Sequence, residues 1–243
     1  MNQNGISIVI PAFNEEKFLP DTLQSISKAC HIFEEEFHFP TETIVVDNAS
    51  TDSTKLVATG LGARVISHST RNIASVRNAG IKTAAYDLVI TVDADSYVPA
   101  NTFREIWLAM ETGRYIGGGV RLGIRSDSLR LKIFMYGLEK LMVTISGLSG
   151  GMFFFLKGAA LEIGGFPEAH LVAEDMTFAK TLRAYGVKRG KKFHNLRTVQ
   201  ILTFDRKDVS FWKTLRIFYV GLRAYMGAKM DKKELEYWYN PKR

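Results

Sequence analysis

A chain of 243 residues, 46% hydrophobic and 23% charged, has the composition of a globular protein with one large core, which excludes a disordered or fibrous polypeptide. The single cysteine, Cys30, excludes an internal disulfide and suits a reducing, cytoplasmic compartment, and residues 1–10 lack the basic start and apolar core of a signal peptide. The net charge of +7 is uneven, with 17 Lys and Arg against 5 Asp and Glu in residues 180–243 and 15 against 20 in residues 1–179, so the C-terminal part faces either an anionic partner, such as the inner surface of a membrane, or water.

Gly5 to Pro11 reads as a first strand, stopped by Pro11. Asn14-Glu15-Glu16 is expected to open a helix, because acids favour a helix N-terminus. Its apolar face carries Leu19, Leu23, Ile26, Cys30 and Phe33. Thr43 to Val46 is a second buried strand ending in Asp47, and the cap-rich Asn48 to Thr54 run precedes a helix to about Leu61. Arg64 to Ser67 is a third strand, and Ile73 to Ala84 a helix carrying Arg77 and Asn78. Leu88 to Val92 is a short apolar strand that ends in Asp93-Ala94-Asp95.

A helix is expected from Pro99 to Glu111, a strand from Tyr115 to Leu122, and a long helix from Ser128 to Ile145. A strand at Met152 to Leu156 and a short helix lead into Gly164-Gly165-Phe166. Glu174-Asp175 opens a helix capped by Gly186, and two short strands follow near 189–194 and 198–203. Residues 211–226 read as a helix with Lys213, Arg216 and Arg223 on one side and an apolar face on the other. The uncharged stretch Leu141 to Leu156 is 16 residues long and broken by glycines. A membrane span needs roughly 20 apolar residues, so this stretch reads as buried soluble structure. Alternating strands and helices at this spacing imply a doubly wound, mainly parallel α/β sheet.

Such a sheet gathers its strand ends at one rim. Strand one delivers Pro11, Ala12, Asn14 and Glu15; strand two delivers Asp47, Asn48 and Asp52; the central strand delivers Asp93, Ala94 and Asp95. Two carboxylates at i and i+2 after a buried strand suit a hard divalent cation, Mg²⁺ or Mn²⁺. The competing reading of each is local: Asn14 and Glu15 opening a helix, Asp47 to Asp52 a capping run, Arg77 an exposed helical arginine, Glu174 and Asp175 first-turn acids. His170 and His194 are candidates for a third metal ligand.

As an ordered set, Ile8 to Glu15, Val45 to Asp52, Arg77-Asn78-Ala79-Gly80, Val92 to Asp95, Gly164-Gly165-Phe166 and Glu174 to Phe178 resemble the successive motifs of family 2 glycosyltransferases with the GT-A fold. The resemblance covers about residues 5–190. It implies a GT-A domain at 1–208, with a nucleotide-sugar half at 1–97 and an acceptor half at 98–208, followed by a basic helix and tail at 209–243. It further implies binding of a nucleoside-diphosphate sugar, UDP being the family's commonest nucleotide, and transfer of one sugar with inversion. The acceptor would be a hydroxyl on a lipid-linked or saccharide molecule.

In that scheme Pro11, Asn14, Glu15 and Asp47 surround the nucleoside, and Arg77 lies near the base or phosphates. Asp93 and Asp95 serve ribose, diphosphate and Mn²⁺ or Mg²⁺. Asp175 is the general base, with Glu174 beside it, standing across the pocket from Asp93 and Asp95. The Gln-x-x-Arg-Trp motif of processive members is absent. Arg206 and Lys207 loosely resemble the basic pair that non-processive members place near the diphosphate. A nucleotidyltransferase is disfavoured because Ala12 to Glu16 is acidic and glycine-free. A non-catalytic or membrane-associated scaffold is disfavoured by the joint presence of Asp93, Asp95 and Asp175. Nucleic acid is not an expected partner, since no recognised module accompanies the basic C-terminus.

Overall fold

The computed structural model describes residues 4–170, 173–204, 219, 220 and 223. In chain order the elements are β1 (Ile6–Ala12), α1 (Leu19–Phe37), β2 (Thr41–Asp47), α2 (Thr54–Gly60), β3 (Arg64–Ser67), α3 (Ile73–Thr83), β4 (Leu88–Thr91) and β5 (Ser96–Tyr97). They continue as α4 (Thr102–Glu111), β6 (Tyr115–Arg125), α5 (Leu129–Ser146), β7 (Met152–Leu156), α6 (Lys157–Glu162), α7 (Glu174–Val187) and β8 (Lys192–Phe204).

One sheet of eight strands runs in the order β3-β2-β1-β4-β7-β6-β8-β5. β3, β2, β1 and β4 are mutually parallel, β6 pairs β8 in parallel, and β7 and β5 run against their neighbours. The doubly wound, mainly parallel sheet expected from the sequence is the sheet observed. Strand residues alternate between its two faces, as a pleat requires. Ile6, Ile8, Ile10 and Val45 pack with Leu23, Phe33, Phe103 and Trp107 of α1 and α4. Val9, Ile44 and Val46 pack with Val76, Ile81, Phe178 and Leu182 of α3 and α7. Gly80 brings α3 down onto the sheet, where an added Cβ would lie 2.3 Å from Val9 Cγ1.

Several sequence expectations are corrected. β1 runs through Pro11 to Ala12. Its ladder with β4 ends at Val9 and Thr91, so the missing proline N–H breaks no bond to that neighbour. α1 starts at Leu19 rather than near Asn14: Asn14 takes a left-handed backbone, φ 55°, and side chains of the 50–54 loop hold residues 14–16 in a turn before the helix. α7 continues past Gly186, which remains helical to let Ile116 approach; an added Cβ would meet Ile116 Cγ2 at 2.6 Å. The two short C-terminal strands are one strand, β8, with an irregularity between its pairings at Leu196 and Gln200. Leu141 and Ile145 are exposed on α5, so burial of the 141–156 stretch begins only at Ser146 and Leu148. The two-residue β5 carries no sequence signal of its own.

The helix expected at 211–226 and the basic pair Arg206 and Lys207 lie outside the described residues, apart from Tyr219, Val220 and Arg223, which are helical. Among the described residues no helix is long and apolar enough to cross a membrane.

Candidate active site

The parallel register sets Ala12 beside Asp47, which brings the first two strand ends to one rim. Asn14 takes a left-handed backbone, φ 55°, and its Oδ1 accepts from the Thr51 N–H at 2.8 Å while its own N–H donates to Ser50 Oγ at 3.1 Å. The Glu15 N–H donates to Thr54 Oγ1 at 2.8 Å. Asp52 accepts from the Thr54 N–H, the Thr54 hydroxyl and the Glu16 N–H. Burial pushes the Asp52 pKa up, but these hydrogen bonds prevail and hold it below its ordinary value. Asn48 donates its amide to the carbonyls of His68 and Thr70, pinning the loop before α3. Asp47 is buried and accepts from the Ser50 N–H at 3.3 Å. Pro11, Ala12, Asn14, Glu15, Asp47, Asn48 and Asp52 thus form one stitched wall, in which Asn14, Asn48 and Asp52 are held by the partners just named.

β4 ends at the Asp93-Ala94-Asp95 turn. The Ala94 carbonyl accepts from the buried Thr22 hydroxyl at 2.8 Å, and the Asp95 carbonyl accepts from the Phe204 N–H at 3.1 Å. Neither Thr22 nor Phe204 is identifiable from sequence, because each reaches the turn only through tertiary contact. Between them they fix the backbone that presents the two carboxylates.

Arg77 is the centre of the arrangement. It is buried, not an exposed helical arginine, and sits on α3 with its guanidinium 5.3 Å from the Phe166 ring centroid. Nη2 donates to Asp93 Oδ1 at 2.8 Å and Nη1 to Glu174 Oε1 at 2.7 Å. Burial lowers the Arg77 pKa, but Asp93, Glu174 and Asp175 more than offset it, so the cation stays charged. Asp93 and Glu174 are therefore separated by only one guanidinium. One cation thus ties the start of α7 to the Asp93 turn.

The next residue, Asn78, works the same way on the backbone. Its Nδ2 donates to the Phe166 carbonyl at 2.9 Å and to Glu168 Oε1 at 3.0 Å, while its Oδ1 accepts from the Phe166 N–H at 2.7 Å. Gly165, at φ 75°, leaves room for that clamp, since a Cβ there would lie 2.3 Å from Asn78 Oδ1. The Arg77-Asn78-Ala79-Gly80 run is thus a set of struts: Arg77 to α7, Asn78 to the 164–166 turn and Gly80 to the sheet.

On α7, Glu174 is buried, and burial together with the neighbouring Asp175 charge pushes its carboxyl up to about 7 against the pull of Arg77. Asp175 is part-buried and accepts from the Met176 N–H at 2.6 Å. Burial also raises its pKa, with Arg77 opposing. A carboxylate of raised basicity next to a buried cation can accept a proton near neutral pH.

Asp93 and Asp95 offer hard oxygen ligands on a braced turn, a donor set that would suit Mg²⁺ or Mn²⁺. Among the described residues no three His, Cys, Asp or Glu side chains gather into a site made by protein alone. His194 stacks on Tyr115 with ring centroids 4.4 Å apart. It lies near the start of β8, at the opposite end from Phe204 and Asp95. His170 belongs to the loop after Phe166, where its N–H donates to the Pro167 carbonyl.

Comparison with known proteins gives the family and the fold. The sequence description of glycosyl transferase family 2 fits residues 7–164, well over half the chain. The undecaprenyl-phosphate 4-deoxy-4-formamido-L-arabinose transferase of Proteus mirabilis is 32% identical over 155 residues, 61% of this chain and 46% of that protein. Its counterpart in Yersinia enterocolitica is 31% identical over 60% of this chain and 45% of that protein. The chain therefore matches about half the length of these curated relatives. Among solved structures, the mannosyltransferase PcManGT of Pyrobaculum calidifontis, in complex with GDP-Man and Mn²⁺, superposes with a TM-score of 0.66 at 17% identity, covering 96% of this chain and 67% of that one. TarS of S. aureus in complex with UDP-GlcNAc gives 0.62 at 18% identity, covering 97% and 70%.

Proposed function

Because the chain belongs to glycosyl transferase family 2 and has the GT-A fold, we propose that it moves a single sugar, with inversion, from a nucleoside-diphosphate sugar, UDP the favoured nucleotide, to an acceptor oxygen. The observation that carries this reading is the Arg77 bridge. It joins Asp93, which we assign to the donor, to Glu174, the neighbour of Asp175, through one buried guanidinium.

In this reading the stitched wall from Pro11 to Asp52 receives the nucleoside. Asp95 and Asp93 hold a divalent metal, which when bound neutralises charge on the departing diphosphate. The acceptor oxygen forms a bond to the anomeric carbon as the bond from that carbon to the diphosphate oxygen breaks. The electron pair leaves with the diphosphate, and the acceptor proton passes to Asp175. Glu174, gripped by Arg77, keeps the start of α7 aligned with the donor turn. Arg206 is assigned to the diphosphate on the family resemblance alone.

The curated relatives are named for undecaprenyl phosphate, and a lipid-carried acceptor is the reading we favour here. Calorimetry of UDP binding with Mn²⁺ and with EDTA tests the donor and metal assignments together. Asp95→Asn should weaken the Mn²⁺-supported affinity and leave the EDTA value unchanged. Equal affinity under both conditions in the parent protein would remove the metal from the scheme.

A further inference from the structure

From the exposed face of α5 we infer that this helix is the part of the protein that seats on the interfacial layer of an anionic lipid bilayer. The inference rests on the glycosyl-transfer reading only for its meaning at the acceptor side. α5 is 18 residues long, and Ser146 is its one buried residue. A helix of that length in a globular domain normally buries a full apolar stripe, whereas α5 only half-buries Leu131, Phe134, Leu138 and Met142 on its inner side. Here Leu129 is 69% and Ile133 62% exposed, and Tyr136, Leu141 and Ile145 are about half exposed or more. Leu129, Ile133 and Tyr136 recur at helical spacing on one side, and Lys140 falls among them.

Charge favours a lipid surface over an apolar protein partner. Arg130, Lys132 and Lys140 stand among the exposed apolar residues, and Glu139 is engaged by Arg121 at 3.5 Å. Apolar side chains mixed with long cations are what the headgroup boundary of an anionic membrane accommodates, since the cations reach the headgroups while the stems stay in the apolar layer. A buried protein–protein core, by contrast, is depleted of lysine.

Position ties the face to the site. α5 springs from the end of β6, where Arg125 lies over the rings of Tyr97 and Phe204 beside the Asp95 turn. It returns through residues 147–151, where a Cβ on Gly150 would lie 3.2 Å from Met176 Sδ, next to Asp175. One end of α5 is thus anchored near the donor turn and the other near the acids of α7. A bilayer beneath α5 would present a lipid-carried acceptor to that opening.

Flotation of the full chain with phosphatidylcholine vesicles, with and without phosphatidylglycerol, tests the inference, and light scattering records the oligomeric state. The parent protein should float with the anionic vesicles at low salt and release at high salt. Leu129→Asp/Ile133→Asp should lower vesicle partitioning by about tenfold or more. Lys132→Glu/Lys140→Glu should remove the preference for anionic lipid. All four positions are exposed, so thermal unfolding and UDP binding should stay at parent values. If the double aspartate variant floats as well as the parent, the basic C-terminal part is the anchor and the inference fails. If the parent is a dimer that the aspartates split without changing flotation, the face belongs to a second copy. Loss of UDP binding in the parent would count against the proposed function and leave the membrane result standing.

Discussion

Arg77 and Glu174 are 97 residues apart in sequence, yet their side chains meet at 2.7 Å in the interior while the other arm of the same guanidinium holds Asp93. A buried cation shared by two carboxylates is strongly destabilising to lose, because its removal leaves uncompensated charges. Arg77→Met is expected to lower unfolding free energy by about 3–5 kcal/mol at pH 8, read from denaturant titration. Arg77→Lys should recover only part of the loss, since an ammonium lacks the planar fork that spans both partners.

The same cluster sets a pH dependence. Unfolded, the Glu174 carboxyl releases its proton near its ordinary value of 4.5; folded, it holds the proton to about 7. Between those values the native state binds more protons, so stability falls as pH rises through the window. The decline from about pH 4.5 to pH 7 should be on the order of 1–3 kcal/mol, and Glu174→Gln should flatten it. A parent protein whose stability rises across that range would contradict the assignment.

In the proposed scheme turnover depends on the neighbouring acid. Asp175→Asn preserves shape and removes basicity, so the rate on a hydroxyl acceptor should fall by about 10²–10⁴-fold. Donor affinity should be nearly unchanged, because the donor is assigned to the other wall. On a lipid-phosphate acceptor the attacking oxygen is already ionised, and the loss should be far smaller. Single-turnover measurements on the two acceptor types separate the roles. In the parent enzyme the hydroxyl reaction should quicken with rising pH, since burial raises the pKa of Asp175.

Asn78→Ala tests the clamp on the 164–166 turn. It strands the Phe166 N–H and carbonyl in the interior, and each unsatisfied group costs about 1–3 kcal/mol. Asn78→Asp keeps the acceptor for the Phe166 N–H but loses the donor to its carbonyl and sets a charge beside Glu168. Both variants should unfold earlier in denaturant, with the aspartate more sensitive to high pH.

The sheet was legible because β1, β4 and β7 are short apolar runs bounded by polar punctuation. Arg64–Ser67 and Met152–Leu156 match the observed strands at both ends. What the sequence hid depends on contacts between distant segments. Asn14 to Glu16 has the acidic signature of a helix start, but the left-handed backbone of Asn14 and its ties to the 50–54 loop make it a turn. Gly186 has the signature of a helix end, but its small size serves packing against Ile116. The candidate site residues could be named from the ordered motifs. Their geometry could not, because no pattern in the sequence joins Arg77 to Glu174 or Thr22 to Ala94.

On the ribosome, Asp95 is synthesised roughly 100 residues before Phe204, whose N–H completes the donor turn. At ordinary elongation rates that interval is on the order of 5–20 s. During its first part the four parallel strands β1 to β4 can assemble while Arg77 has Asp93 but no Glu174, and throughout it the Asp95 carbonyl lacks the N–H that braces it. Under the proposed donor assignment a nucleotide has no finished cradle until β8 has left the exit tunnel. In that reading nucleotide-assisted maturation waits for β8, and chains stalled before residue 204 should show no nucleotide-dependent protection from protease.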